Sequence, residues 1–121
     1  MKTLVVEDNP TDLKLLHIIL QLGGHEVMDA IDAEQAFYLL QQSKPQVILI
    51  DLLLPNMDGL AMGRRLKQTP DTARIPIIAV TADPDHYPQH AAYEAGFTAY
   101  FTKPIDTRTL SEQVTAIANA L

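Results

Sequence analysis

The sequence predicts an α/β fold, a three-layer (βα)5 sandwich with a parallel five-stranded sheet between two layers of helices, and three observations predict it. The apolar runs Leu4-Val5-Val6, Val47-Ile48-Leu49-Ile50 and Ile77-Ile78-Ala79-Val80 are continuous rather than alternating, as strands buried on both faces are. Segments of helical period lie between them, with apolar residues at i, i+3, i+4 and i+7. Strand and helix then alternate five times, which implies parallel βαβ units with helices on both faces of one sheet.

The elements follow in order. Strand 1 is Leu4 to Val6 and runs into Glu7-Asp8. Asn9-Pro10 reads as an N-cap followed by proline at the first helical position. Helix 1 presents Leu13, Leu16 and Leu20, a stripe that Leu15 and Ile19 widen, and ends at Gly23-Gly24, where glycine accepts a left-handed conformation. Strand 2 spans Glu26 to Ile31. Helix 2 carries Ala33, Ala36, Phe37 and Leu40 and stops at Ser43-Lys44-Pro45. Strand 3 is Val47 to Ile50, closed by Asp51. Asp58-Gly59 is a turn and helix start, and helix 3 ends at Thr69-Pro70. Strand 4 runs to Thr81. Pro84 and Pro88 sit where the next helix would begin, so helix 4 starts late, near Pro88, behind a longer loop. Strand 5 is Ala99 to Phe101. Asp106-Thr107 supplies capping side chains for helix 5, whose stripe is Leu110, Val114, Ile117 and Leu121. Right-handed crossovers leave few topologies. The order 2-1-3-4-5, the flavodoxin-like arrangement, places strands 1 and 3 side by side where the winding reverses, and ligands bind beyond their C-terminal ends.

Composition narrows the function. The 121 residues suit one domain, expected to span 1–121 with no linker and no output domain. With nine basic and fifteen acidic residues the net charge is −6, which gives phosphate-backbone binding little electrostatic support and argues against nucleic acid as a partner. There is no cysteine, so disulfides, thiolate metal sites and cysteine nucleophiles are excluded. No signal-peptide layout or run approaching the roughly 20 apolar residues of a membrane helix is present, and the expected location is the cytoplasm.

The strand C-termini hold the polar residues: Glu7-Asp8 after strand 1, Asp51 after strand 3, Thr81 after strand 4 and Lys103-Pro104 after strand 5. Any one of these has a commonplace explanation, because loops are wet and Asp caps helices well. Together, however, they would gather three carboxylates, a hydroxyl and a lysine at one sheet edge. Three like charges within several ångströms repel, and each raises the pKa of the others. A hard divalent cation offsets them, and Mg²⁺ suits a few carboxylates with room for a phosphate. Lys103 adds a point charge suited to an anionic ligand. His17, His25, His86 and His90 show no convincing metal spacing, and Arg64-Arg65 with Lys67 reads as the solvated face of helix 3. Tyr87, Tyr93 and Phe97 are read as core or rim packing.

Glu7-Asp8, Asp51 closing an apolar strand, Pro55-Asn56-Met57-Asp58-Gly59, Thr81-Ala82 and Lys103-Pro104 resemble, in this order, the receiver domain of bacterial two-component response regulators. The resemblance runs from end to end and is closest to stand-alone receivers of the chemotaxis-regulator kind. It implies that Asp51 accepts a phosphoryl group from a sensor histidine kinase or histidine phosphotransfer protein, and that Glu7, Asp8, Asp51 and the backbone carbonyl of Leu53 bind Mg²⁺. It implies further that Thr81 and Lys103 contact the phosphoryl group, that Lys103-Pro104 is a cis peptide, and that Tyr100 is an aromatic switch coupled to Thr81. A downstream protein would be met through the helix 4–strand 5–helix 5 face, by a monomer or weak dimer that is not an enzyme beyond its own phosphorylation and dephosphorylation. Two other readings compete. A Mg²⁺-dependent aspartyl-phosphate phosphatase or phosphotransferase usually needs a second acid two residues after its nucleophile, and here that position is Leu53. A receiver-like binding module without phosphorylation normally has lost an acid or the lysine, and none is lost here.

Overall fold

The computed structural model describes residues 1–120. Ten elements alternate along the chain: β1 (Lys2–Val6), α1 (Pro10–Leu22), β2 (Glu26–Ala30), α2 (Ala33–Gln42), β3 (Val47–Asp51), α3 (Gly59–Gln68), β4 (Ile77–Thr81), α4 (Gln89–Glu94), β5 (Ala99–Thr102) and α5 (Leu110–Asn119). All four strand pairings are parallel and the order is β2-β1-β3-β4-β5, as the alternation predicts. The register sets Val6 opposite Ile50 and Asp51 opposite Val80, so β1, β3 and β4 end at one edge.

The sheet separates two cores. One face packs Leu4, Val6, Ile48, Ile50, Ile77 and Ala79 against α2, α3 and α4 through Ala36, Leu40, Met62, Leu66 and Ala92. The other packs Val5, Leu49 and Ile78 against α1 and α5 through Leu16, Leu20, Leu110 and Val114. β3 and β4 are buried along their whole length, which is why their sequences carry no alternation.

The helix boundaries follow local chemistry with three departures. Asn9 Oδ1 accepts from the N–H groups of Thr11 and Asp12, Asp32 caps α2, and Asp58 caps α3 through Ala61. At the end of α1 the left-handed residue is Gly24 alone (φ +92°), while Gly23 stays at −83°. The first departure is at helix 5. Asp106 Oδ1 accepts from the Arg108 N–H at 3.0 Å and so closes a separate turn, and α5 begins only at Leu110, behind Thr109. The second is Leu15, which is 44% exposed and does not widen the buried stripe of α1. The third concerns α3, whose basic residues are not simply solvated. Arg65 lies over the Phe37 ring at 4.5 Å, and Lys67 folds back to donate to the carbonyls of Ala73 and Ile75. Leu121, the last residue of the expected α5 stripe, lies outside the described residues. No helix of the described residues is long and apolar enough to cross a membrane.

Two of the four histidines tie elements together, while His86 and His90 are exposed. His25 is buried, with Nδ1 2.8 Å from Thr3 Oγ1 and Nε2 3.0 Å from Thr115 Oγ1, tying β1 to α5. His17 pairs with Asp29 at 2.9 Å.

Gly59 is where α3 presses on the end of β3. A Cβ there would lie 2.6 Å from the Asp51 carbonyl oxygen and 2.6 Å from the Leu52 Cα, both backbone atoms that cannot give way locally. Gly59→Ala is therefore expected to lower stability by about 1–3 kcal/mol, read as the urea midpoint, and to displace Asp51; an unchanged midpoint contradicts the close packing.

Candidate functional site

Buried strands place three of the polar residues at the C-terminal sheet edge, and the half-buried β5 places the fourth, Lys103. Val6 carries the chain into Glu7, which is 1% exposed although it is ionisable. The Glu7 N–H donates to the Ala30 carbonyl at 2.9 Å, so β2 holds this residue, and Glu7 Oε2 accepts from the Asn9 N–H at 3.1 Å. Asp51 is the last residue of β3 and is buried; its Oδ1 accepts from the Leu53 N–H at 3.0 Å. Thr81 closes β4, wholly buried, and Oγ1 accepts from the Asp83 N–H at 3.0 Å. Lys103 follows β5. Its backbone N–H donates to the Thr81 carbonyl at 2.8 Å, and its peptide bond to Pro104 is cis.

The side chains converge. One carboxylate oxygen from each of Glu7, Asp8 and Asp51 lies within 4.8 Å of the others, with Glu7 and Asp51 buried and Asp8 exposed. The Lys103 ammonium donates to Glu7 Oε1 at 2.7 Å, Asp12 Oδ2 at 3.0 Å and Asp51 Oδ2 at 3.2 Å. All of these residues, with Leu53, Thr81 and Asp83, line a cleft of about 300 Å³.

Charge in the cleft is unbalanced, since five acidic residues line it with one lysine, which pairs with three of them. Burial pushes the Glu7 carboxyl up, to about 7, and the neighbouring Asp51 adds to the rise while the bond from Lys103 opposes it. Burial by itself would lower the Lys103 pKa, but its bonds to Glu7 and Asp12 and the charge of Asp51 outweigh that and hold it above the ordinary lysine range. The lysine is thus a fixed cation. A site of clustered carboxylate oxygens that remains short of positive charge fits a hard divalent cation such as Mg²⁺, and Glu7, Asp8 and Asp51 are the side chains that could hold it.

Tyr100 on β5 is half-buried, and its hydroxyl donates to the Tyr87 carbonyl at 2.5 Å. The Tyr87 N–H in turn donates to the Asp83 carbonyl at 2.9 Å. Thr81 and Tyr100 are therefore joined through one turn of the loop before α4. That helix starts at Gln89, behind Pro88, after the long loop the two prolines predict.

Two participants escape a reading by strand ends. Asp12, in the first turn of α1, reaches Lys103, and Asn9 holds Glu7 through its N–H. Asp12 sits in the first turn of α1, whose N-terminus opens at this edge, but its contact with Lys103 spans 91 positions and has no local signal. Leu53 lines the cleft and is 63% exposed.

The family model for the response regulator receiver domain matches residues 3–115. The chain belongs to that family. It is 32% identical over 116 residues to the protein PilH of Pseudomonas aeruginosa, covering 96% of each chain. The receiver also superposes on a Chloroflexus aurantiacus chain provisionally classed as a response regulator (TM-score 0.92, 32% identity, 98% of both chains). A third match is the receiver domain of the sensor histidine kinase PA1611 of P. aeruginosa, solved with magnesium in its active-site cleft (TM-score 0.89, 28% identity, 98% of both chains). Several longer regulators match as well, and this receiver spans about half the length of one of them, the phosphate regulon regulator PhoB of P. aeruginosa (32% identity, 94% of this chain, 50% of that protein).

Metal binding by these acids would have a direct consequence for stability, because a ligand held only by the folded state raises the unfolding midpoint. Adding Mg²⁺ is expected to raise the thermal midpoint of the parent, and Asp8→Asn is expected to remove most of that rise. An equal rise in Asp8→Asn, or none in the parent, contradicts the assignment.

Proposed function

We propose that this receiver is a single-domain response regulator whose Asp51 takes a phosphoryl group from a phosphohistidine of a sensor kinase or phosphotransfer protein. The observation that carries the reading is the Lys103 ammonium 3.2 Å from Asp51 Oδ2 beside the three-carboxylate cluster. The match to PilH over 96% of both chains supports the single-domain form, and the magnesium in the PA1611 cleft supports Mg²⁺ as the ion.

The chemistry follows from the placement. A carboxylate oxygen of Asp51 attacks phosphorus in line, the P–N bond breaks, and its electron pair stays on the histidine nitrogen. A bound Mg²⁺, held by Glu7, Asp8, Asp51 and the Leu53 carbonyl, would supply positive charge to the phosphoryl oxygens. Lys103 supplies a second, fixed positive charge. Thr81 already accepts at Oγ1 from Asp83, which leaves its hydroxyl proton to be donated to a phosphoryl oxygen. Any movement of Thr81 is felt by the Asp83 N–H and passed along the loop to the Tyr87 carbonyl and the Tyr100 hydroxyl. This is a two-state packing element biased by a local electrostatic event, and its output is read by a protein partner on the α4–β5–α5 face rather than by nucleic acid. No turnover of a separate substrate is assigned, and the cytoplasm, where kinase domains act, is the proposed location.

Two experiments test this. Incubation with acetyl phosphate and Mg²⁺ is expected to give a base-labile phosphoryl adduct in the parent and none in Asp51→Asn; equal labelling of both removes Asp51 from the role. Lys103→Ala is expected to bind Mg²⁺ at least as well as the parent, since a competing cation is gone, yet to lose the amide-shift response of Tyr100 to phosphorylation. A parental response in Lys103→Ala contradicts its coupling role.

A further inference from the structure

Lys103 carries three N–H donors and no acceptor. All three are committed in this structure, to Glu7 at 2.7 Å, to Asp12 at 3.0 Å and to Asp51 at 3.2 Å. Two of these partners lie on the β1–α1 side of the cleft and one on the β3 side, and the bond to Asp51 is the longest. The ammonium is therefore shared in favour of the first strand and helix. For Lys103 to engage a phosphoryl group on Asp51 fully, the hold from that side has to loosen.

The two acids on that side differ in what they can do without the lysine. The Glu7 side chain is 1% exposed, so water cannot replace a lost donor, and a buried carboxylate left unpaired is strongly penalised. The Asp12 side chain is 40% exposed. Solvent can hydrate it at once when Lys103 leaves. Asp12 is also outside the cluster of three acids that could hold a metal ion, so a cation bound there would not keep it satisfied or displace the lysine from it directly. Its position is rigid: it sits in the first turn of α1 and its N–H is held by the Asn9 cap at 3.1 Å.

We infer that Asp12 is a releasable anchor for Lys103, a positioning residue that restrains the lysine in the unphosphorylated receiver and so sets how readily it transfers to the phosphoryl group. The inference rests on the phosphoacceptor role proposed above and deepens it. Asp12 touches neither the phosphoryl group nor the metal; it acts through Lys103.

The test measures binding of beryllofluoride, a phosphoryl mimic, at saturating Mg²⁺, with the fluorine resonance of the bound mimic as readout, a signal that does not depend on the coupling of Lys103 to Tyr100. Asp12→Asn is expected to bind about two- to fivefold more tightly than the parent, the range carried by a half-exposed ion pair, and Asp12→Glu to return to the parental value. Loss of a negative charge near an anionic ligand also tightens binding, but that effect persists without the lysine. In a Lys103→Met background the gain from Asp12→Asn is therefore expected to fall to less than half. The same gain in both backgrounds, or no gain in either, overturns the inference. A second readout needs no mimic: the Lys103 ammonium resonance is expected to exchange with water faster in Asp12→Asn than in the parent, and an unchanged rate overturns the anchor. A parent that gives no Mg²⁺-dependent response to beryllofluoride instead overturns the phosphoacceptor reading. The ammonium exchange then still reports whether Asp12 holds Lys103.

Discussion

The C-terminal edge of the sheet depends on one interaction, the Lys103 ammonium held among carboxylates from three different elements. Parallel strands that end together bring their last residues together, and here β1 and β3 deliver Glu7 and Asp51 to the same place. Two buried carboxylates side by side are costly, because the interior screens their repulsion poorly. Lys103 offsets part of that cost, and it can do so because the chain after β5 is pinned to the Thr81 carbonyl. A single lysine against five acids leaves room for more positive charge. That deficit is what fits the edge to a divalent cation, which Glu7, Asp8 and Asp51 could hold.

The same constraint explains how a local charge event could travel. Thr81 sits at the end of a fully buried strand, so its backbone has little freedom and its hydroxyl is the movable part. The hydroxyl is tied to Asp83, and the loop from Asp83 to Tyr87 is short of regular structure because Pro84 and Pro88 delay α4. Tyr100 packs against the core of that face, and its hydroxyl is fastened to the loop. The loop is restrained at its two ends by side chains, and only a six-residue helix lies behind it.

Much of this was legible in the sequence, for identifiable reasons. β1, β3 and β4 are unbroken apolar runs because both of their faces are covered, and a carboxylate or hydroxyl ending such a run can only stand at the sheet edge. The order of strands follows from alternation and handedness. What stayed hidden depended on partners far away in the chain. Nothing local shows that Asp12 meets Lys103, since 91 positions separate them, or that His25 is bracketed by Thr3 and Thr115. The late start of α5 escaped for another reason. Asp106 is a good cap, but it caps the turn at 106–109 and leaves the helix to begin behind Thr109, a choice between two nearby starts that residue preference alone does not make. Leu15 shows the limit of periodicity: a wide apolar stripe on α1 does not say where the covered arc stops.

The measurement that bears most directly on the central claim is a crystal structure of the receiver with Mg²⁺ and beryllofluoride. The account predicts beryllium bonded to an Asp51 carboxylate oxygen, the metal among Glu7, Asp8 and Asp51, and the Lys103 ammonium within hydrogen-bonding distance of a fluoride. Beryllium bound elsewhere, or a Lys103 that stays with the acids and never contacts fluoride, would contradict it.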